Sequence, residues 1–146
     1  MEKDIRQSIT DYRMPRYICE ILCNHYAKAF LDMTIICEND TYIFSYDKKN
    51  KRRLVYRELT EIDKLQLVLT LIMINDNNCQ MLIGAERYLI EPELIYSVRN
   101  RTDYNSIGIL FYPDTTMTPF NIKLIRFMDK IGTKNKKKAI NCFELI

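Results

Sequence analysis

The longest regular pattern of apolar residues in the chain begins just after Thr60. Leucine, isoleucine and valine side chains recur there at helical spacing and leave little of the circumference polar. Thr60 and Asp63 stand at the spacing of a capping box, so the pattern predicts a helix over residues 61–75, ended by the Asp-Asn-Asn sequence at 76–78. A helix that is apolar nearly all round is normally covered on more than one side, and we therefore expect Leu69 to be buried.

Two further helices are predicted towards the ends of the chain. Pro15 suits a first helical turn, and the apolar residues after it share one face, which predicts a helix over residues 15–29. Pro119 likewise opens an amphipathic segment that ends near Gly132.

Short segments rich in β-forming residues separate the helices. Residues 33–37 and 41–46 are joined by Glu-Asn-Asp, which predicts a hairpin, and residues 1–13 are predicted to form an arm or an edge strand. The remaining predicted strands are residues 54–59, 79–83, 86–90, 94–98 and 107–112. The last of them leads into an aromatic-proline corner at Tyr112 and Pro113, which we expect to be exposed. This order of elements predicts an α+β fold rather than a regular βαβ array.

The length and composition of the chain indicate a single folded domain. A chain of 146 residues that is 47% hydrophobic and 28% charged has the composition of an ordinary folded domain. Only 3 Gly and 4 Pro occur, so linkers and low-complexity segments are nearly absent. We predict one domain over residues 1–132, followed by a basic tail or the start of a linker over residues 133–146.

Charge and cysteine usage narrow the setting. The net charge of +3 comes partly from a lysine run at 134–138, and the nearly neutral remainder makes nucleic acid an unlikely main partner, because phosphate binding needs a concentrated basic face. The five cysteines are irregularly spaced, the first residues are polar, and no run approaches ~18 apolar residues. These features predict a cytoplasmic protein without a disulfide framework, a signal peptide or a membrane span.

Candidate catalytic groups do not form a recognisable set. His25 is the single histidine, and on a helix it would lie on a different side from Cys19 and Cys23, so we expect neither a metal site nor a Cys–His nucleophile. We assign Glu91 and Glu93 to a solvated turn, and Asp103 and Asp114 to turn formation in loops. The three glycines are isolated and cannot form a phosphate-binding loop. We predict no enzymatic activity, no cofactor and no metal.

A small basic-aromatic patch is the best candidate for an interaction surface. Arginine and tyrosine side chains can stack on bases or bind phosphate, although an ordinary polar loop and a solvated tail are the simpler interpretations. The residues of this predicted surface are Arg99, Arg101, Tyr104, Lys136, Lys137 and Lys138.

Four segments, in order, give the chain a family resemblance. They are YICEILCNHYAKAFLDMTIICENDTYIFSYD at 17–47, LTEIDKLQLVLTLIMI at 59–74, RYLIEPELIYSV at 87–98 and IGILFYPD at 107–114. Together they resemble a bacterial pseudokinase-like domain. The pattern is similar to the cytoplasmic domain of the type VII secretion membrane component (EssB/YukC-like), and to the uncharacterised N-terminal domain that precedes FHA domains in Firmicutes proteins.

The resemblance implies an antiparallel sheet packed with helices, similar to the small lobe of a protein kinase, with helix 61–75 in the place of the regulatory helix. Kinase chemistry needs a Gly-rich loop, a strand lysine, a catalytic-loop aspartate and metal ligands, and none of these can be placed in the chain. The implied role is therefore scaffolding or recruitment.

We predict a non-catalytic protein-interaction or scaffold domain of a bacterial secretion or FHA-linked signalling assembly, with a protein partner and the option of a homodimer. The alternative is a small nucleic-acid-associated protein that uses Arg99, Arg101 and the lysine tail. A third interpretation is a small-molecule or nucleotide sensor that has a pocket but no catalysis. Salt-dependent binding to DNA or RNA would favour the second, and ligand-dependent thermal stabilisation the third.

Overall fold

The first half of the chain forms an antiparallel sheet with one short helix, in a computed structural model that describes residues 5–133. Its elements are β1 (Ile5–Thr10), α1 (Arg16–Cys23), β2 (Asp32–Glu38) and β3 (Thr41–Asp47). Strands β2 and β3 form the predicted hairpin, and Asn39 and Asp40 make its two-residue turn with φ of 48° and 63°. Both residue types tolerate that left-handed conformation. Strand β1 pairs with β3 and forms an edge of the sheet, as predicted for the N-terminal residues.

The second half adds a smaller antiparallel sheet and two longer helices. Its elements are β4 (Arg52–Arg53), α2 (Glu61–Gln80), β5 (Ile95–Ser97), β6 (Ile107–Ile109) and α3 (Phe120–Ile131), with 3₁₀ turns at Tyr56–Glu58, Ala85–Arg87 and Pro92–Leu94. Strand β5 lies between β4 and β6. The predicted α+β class is confirmed, but the described residues form two three-stranded sheets where the resemblance implied one. The likeness to a kinase small lobe stays a prediction.

A cluster of aromatic rings packs between the two halves. Phe30 packs edge-on against Tyr88 and Phe111, with ring centroids 4.9 and 5.2 Å apart. The buried Tyr46 of β3 donates a hydrogen bond from its hydroxyl to the main-chain carbonyl of Phe111. Because large aromatic groups contribute much of the apolar surface that a core buries, the two halves depend on each other for stability.

Helix α2 begins where the sequence predicts and ends later. Thr60 and Asp63 form the capping box, with the Asp63 N–H donating to Thr60 Oγ1 at 3.1 Å and the Thr60 N–H donating to Asp63 Oδ2 at 3.0 Å. The helix continues through the Asp-Asn-Asn sequence to Gln80. Asn78 explains this, because its side chain is buried and donates to the hydroxyl of Tyr88 at 3.2 Å. The Asp-Asn-Asn sequence, which is typical of a helix end, here lies within the helix because Asn78 makes a tertiary contact with Tyr88.

The apolar circumference of α2 is not completely covered. Its buried residues are Leu67, Val68, Thr70, Leu71, Ile72, Ile74 and Asn78, which occupy more than half of the circumference. Leu69 is 42% exposed, so the expectation that it lies in the core is wrong. It belongs instead to an exposed apolar stripe with Ile62 and Met73, which are 79% and 52% exposed. We call these three residues the α2 stripe.

Helices α1, α2 and α3 are each followed, within two residues, by a residue in the left-handed conformation, which is the geometry of a Schellman motif. These residues are His25, Leu82 and Gly132, with φ of 59°, 61° and 72°. After α1, the Tyr26 N–H turns back to donate to the carbonyl of Ile21 at 3.1 Å. This return ends α1 at Cys23, so the predicted extension of that helix to residue 29 is wrong.

Several predicted strands are also wrong. Residues 56–58 and 85–87 form 3₁₀ turns rather than strands, residues 79–80 complete α2, and Tyr88 makes only an isolated bridge to Pro113. The strands predicted at 94–98 and 107–112 are confirmed over shorter lengths, as β5 and β6. Apolar residues in the other segments are buried by contacts distant in sequence, which period-2 alternation does not encode.

The aromatic-proline corner is buried, contrary to expectation. Phe111, Pro113 and Asp114 are all buried, because two main-chain hydrogen bonds join this segment to residues 87–89. The Leu89 N–H donates to the Tyr112 carbonyl at 2.9 Å, and the Asp114 N–H donates to the carbonyl of residue 87 at 3.0 Å.

Replacing Leu82 by glycine is expected to stabilise the protein by about 1 kcal/mol, because the left-handed conformation strains a residue that has a side chain and does not strain glycine. The Leu82 side chain is 72% exposed, so little packing is lost. Urea denaturation of Leu82→Gly and Leu82→Ala checks this, since alanine keeps the strain. An equal gain in both variants, or none in either, would contradict the strain argument.

Candidate functional site

The predicted basic-aromatic patch lies in the loop of residues 98–106, which connects β5 to β6. Arg99 and Asn100 both have positive φ, 54° and 58°, and the Arg101 N–H donates to the Val98 carbonyl at 3.1 Å. This is the type I′ turn that usually contains asparagine and glycine. The turn leaves the side chains of Arg99 and Arg101 exposed.

Side chains hold this turn in a fixed conformation. Asn100 pairs with the backbone of Val55, because its Oδ1 accepts from the Val55 N–H at 2.8 Å and its Nδ2 donates to the Val55 carbonyl at 3.1 Å. The hydroxyl of Ser97 donates to the carbonyl of Arg101 at 2.5 Å. The backbone that carries both arginines is therefore pre-organised by its own side-chain contacts.

The same loop is attached along one side of α2. Thr70 donates its hydroxyl hydrogen to the Thr102 carbonyl, and the Thr102 hydroxyl donates to Gln66 Oε1, both at 2.7 Å. Further along the helix, Asn77 Nδ2 donates to the Tyr104 hydroxyl at 2.6 Å. Tyr104 thus fixes the loop to α2, a role that sequence reasoning missed.

These contacts place the loop beside the α2 stripe. Gln66 precedes Leu69 by three positions and Asn77 follows Met73 by four, and residues at these spacings are neighbours on a helix surface. The arginine-bearing loop and the exposed apolar residues are therefore parts of one surface. We call it the α2–loop surface, and its residues are Ile62, Leu69, Met73, Arg99, Arg101 and Tyr104.

Two arginines of β4 extend the basic end of this surface. Arg52 lies opposite Ser97 in the register of β4 and β5, and Arg53 lies opposite Tyr96. Both arginine side chains are exposed, and the hydrogen bond from Arg53 Nε to the Tyr96 hydroxyl, at 3.3 Å, raises the pKa of Arg53. The sequence places residues 48–53 in a solvated basic loop, so these two arginines were not selected, whereas in the structure they form β4. The predicted lysines Lys136, Lys137 and Lys138 lie outside the described residues.

A second polar site surrounds the single histidine. A cavity of about 370 Å³ is lined by His25, Asp32, Met33, Thr34, Ser45, Tyr46, Asp47 and Lys49. Asp32 is its centre, with Oδ1 at 3.6 Å from His25 Nδ1 and Oδ2 at 2.5 Å from Lys49 Nζ. The hydrogen bond from Lys49 lowers the pKa of Asp32. This arrangement pairs the charges with one another and joins the end of α1 to β2.

Sequence reasoning also missed a buried ion pair. Lys123 of α3 donates from Nζ to Asp114 Oδ2 at 2.7 Å and to the carbonyls of Ala85 and Tyr88 at 2.6 and 2.5 Å. An ammonium group has three protons, so these three acceptors use its full donor capacity. The sequence did contain a sign of this pair, because Lys123 falls on the apolar face of the amphipathic helix α3, three residues after Phe120.

Asp114 forms a turn, as the sequence predicts, because its carboxylate accepts the N–H of Thr116 at 2.9 Å and the N–H of Thr118 at 3.2 Å. The residue is also buried, which the sequence does not predict. Burial raises the pKa of Asp114, but the hydrogen bonds from Lys123 and Thr116 outweigh that effect and lower the pKa to about 2. The carboxylate therefore stays ionised inside the fold.

Within residues 5–133 there is no group of three or more His, Cys, Asp or Glu side chains that could hold a metal ion. Cys19 and Cys23 of α1 are partly buried free thiols, and burial raises the pKa of Cys19, which disfavours the reactive thiolate. None of the helices between residues 5 and 133 has both the length and the apolar character that crossing a membrane requires.

Comparison with known proteins adds no family. No family model matches the chain, and no curated protein matches it. The likeness to secretion-associated and FHA-linked domains therefore rests on the four sequence segments, and function is inferred from the surface itself.

Lys123→Met is expected to lower the free energy of unfolding at pH 7 by roughly 3–5 kcal/mol, because it leaves a buried carboxylate without its partner. Lys130→Met is the matched control on the same helix, since Lys130 pairs with Glu91 on the surface and should contribute no more than about 1 kcal/mol. Urea denaturation measures both.

The pH dependence follows from the lowered pKa of Asp114. Because the pKa of Asp114 is lower in the folded protein than its ordinary value of 3.8, the ionised carboxylate stabilises the fold at pH values above 3.8. That stabilisation is lost as the pH falls through about 2. The difference in free energy of unfolding between the wild-type protein and Lys123→Met should therefore become smaller as the pH falls from about 4 to about 2. A constant difference would contradict the ionised pair.

Proposed function

We propose that this chain is a non-catalytic protein-interaction or scaffold domain that binds its partner through the α2–loop surface. The observation that carries the proposal is the attachment of the arginine loop to α2 through the Gln66–Thr102 and Asn77–Tyr104 hydrogen bonds. It places exposed apolar side chains and exposed arginines next to each other on a rigid support.

The composition of this surface fits a protein partner. Protein interfaces combine an apolar centre with a polar rim, and arginine, tyrosine and methionine are enriched in them. The α2 stripe supplies the centre, and the loop supplies the rim. Because Asn100 and Thr102 already hold the loop, binding requires little further ordering of its backbone, and more of the contact energy appears as affinity.

The ionisable clusters support a structural rather than a catalytic interpretation. All three N–H groups of the Lys123 ammonium donate to Asp114 and to two main-chain carbonyls. The charge of Asp32 is paired with that of Lys49. We further propose that the partner belongs to a type VII-like secretion or FHA-linked signalling assembly, and the four resembling segments support this part of the proposal.

Nucleic-acid association is the second candidate function. The exposed Arg52, Arg53, Arg99 and Arg101 at one end of the domain favour it. The α2 stripe beside them favours protein, since a phosphate backbone offers no apolar counterpart. Binding to DNA or RNA that weakens steeply between about 50 and 200 mM salt would support the nucleic-acid role.

The proposal predicts that the domain does not bind ATP. The buried Lys123 has no donor left for a phosphate, and the chain contains no Gly-rich phosphate loop. Isothermal calorimetry with Mg-ATP is expected to show no saturable heat at micromolar concentrations. A saturable signal would contradict the non-catalytic assignment.

Introducing charge on the α2 stripe is expected to weaken partner binding. The test uses a photo-crosslinker at position 73 to capture the partner in the cells that produce this protein, followed by an affinity measurement with the purified partner. Leu69→Glu with Met73→Glu should weaken affinity at least roughly tenfold, because charges would be buried in the centre of the interface.

The matched control is Ile122→Glu with Ile125→Glu, because these α3 residues are 40% and 43% exposed, much like Leu69. The control pair should leave affinity unchanged, and circular dichroism should show all variants folded. Equal losses in both pairs, or no crosslinked protein, would overturn the proposed surface.

A further inference from the structure

The α2–loop surface presents two arginines along the edge formed by its loop. On that edge, the turn at 98–101 presents the exposed Arg99 and Arg101. Asn77 faces the loop, because its side chain donates to the Tyr104 hydroxyl. The exposed Asp76, three positions after Met73, lies on the opposite edge of the stripe. A partner that lies on the stripe therefore meets two exposed arginines on the loop side, with the carboxylate of Glu58 beside them at 3.5 Å from Asn100 Nδ2 and Asp103 in the same loop.

The stripe has the dimensions of a single helix contact. Ile62, Leu69 and Met73 follow one line along the helix, and at 1.5 Å per residue they span about 16 Å, or roughly three turns. A narrow apolar line with polar edges is typical of a seam between two helices.

We propose that the α2–loop surface binds an amphipathic helix whose apolar face covers the α2 stripe and whose acidic residues line the edge that faces Arg99 and Arg101. This inference rests on the proposed function and adds the chemistry of the partner. Arginine forms forked hydrogen bonds with carboxylates, and two arginines on a rigid turn favour acidic neighbours over basic ones.

A second copy of this chain is a poorer occupant. In an antiparallel pair of α2 helices equivalent edges meet, so the arginine edge of one copy faces the arginine edge of the other and finds no acidic partner. In a parallel pair the arginine edge faces the edge of Asp76, but Asp76 lies ten positions along α2 from Gln66, where the arginine loop is attached. An acidic helix of another protein supplies the missing acidic partner.

The test is a selection from displayed 20-residue helices with a fixed leucine stripe and with both flanks randomised among Asp, Glu, Lys, Arg, Gln and Ser. Against the wild-type protein, the selection should enrich Asp and Glu on one flank only. Against Arg99→Glu with Arg101→Glu, the same flank should change to Lys and Arg. Synthetic peptides with an acidic or a basic flank should then differ in affinity for the wild-type protein by roughly tenfold.

The outcomes separate this inference from the proposed function. One outcome is that the enriched helices show no charge bias and do not bind the variant Leu69→Glu with Met73→Glu. This would contradict the acidic partner but support the α2–loop surface as the binding site. Helices that bind this stripe variant as well as the wild-type protein would overturn both. Concentration-dependent dimerisation in analytical ultracentrifugation, abolished by the same stripe variant, would make a second copy the occupant and overturn the acidic helix.

Discussion

A single buried ammonium group organises the second half of the structure. Lys123 joins α3 to Asp114 and to two carbonyls of residues 85–88, a segment with little regular secondary structure of its own. Buried carbonyls and a buried carboxylate are costly unless they are paired, so this segment can be buried only when the lysine is in place. Tyr88, which the lysine holds through its carbonyl, is in turn the ring that packs against Phe30 and Phe111. The aromatic core thus depends on a charge that a simple apolar model of the core would exclude.

The contrast between the two polar sites shows why one surface and not the other is assigned to binding. The cavity around Asp32 brings a histidine, a lysine and carboxylates together, but these groups satisfy one another across α1, β2 and the residues after β3. The α2–loop surface has the opposite organisation. Its polar contacts are directed inward, to Val55 and to α2, and its arginine and apolar side chains remain exposed. Internal hydrogen bonds there support residues that are available for a partner.

Local signals in the sequence were enough for much of the fold, and tertiary contacts account for the rest. The capping box at Thr60, the turn at Asn39 and Asp40, and the end of α3 at Gly132 were all predictable, because each depends on residues close in sequence. The extension of α2 through Asn78 was not, since it depends on a hydrogen bond to Tyr88. The site shows the same division. Arg99 and Arg101 could be selected by residue type, whereas their position beside Leu69 depends on side-chain contacts that only the folded chain reveals.

The Asn100 contact bears on how recognition could change in evolution. Its amide both donates to and accepts from Val55, in a left-handed conformation that asparagine tolerates, so substitution at this position would disturb the turn itself. The exposed side chains on either side of it take no part in that contact. Conservation should therefore be strict at position 100 and relaxed at 101, while the left-handed φ of Arg99 limits position 99 to residues that tolerate that conformation. A lineage could exchange one binding partner for another mainly by altering position 101 while the scaffold beneath it stays constant.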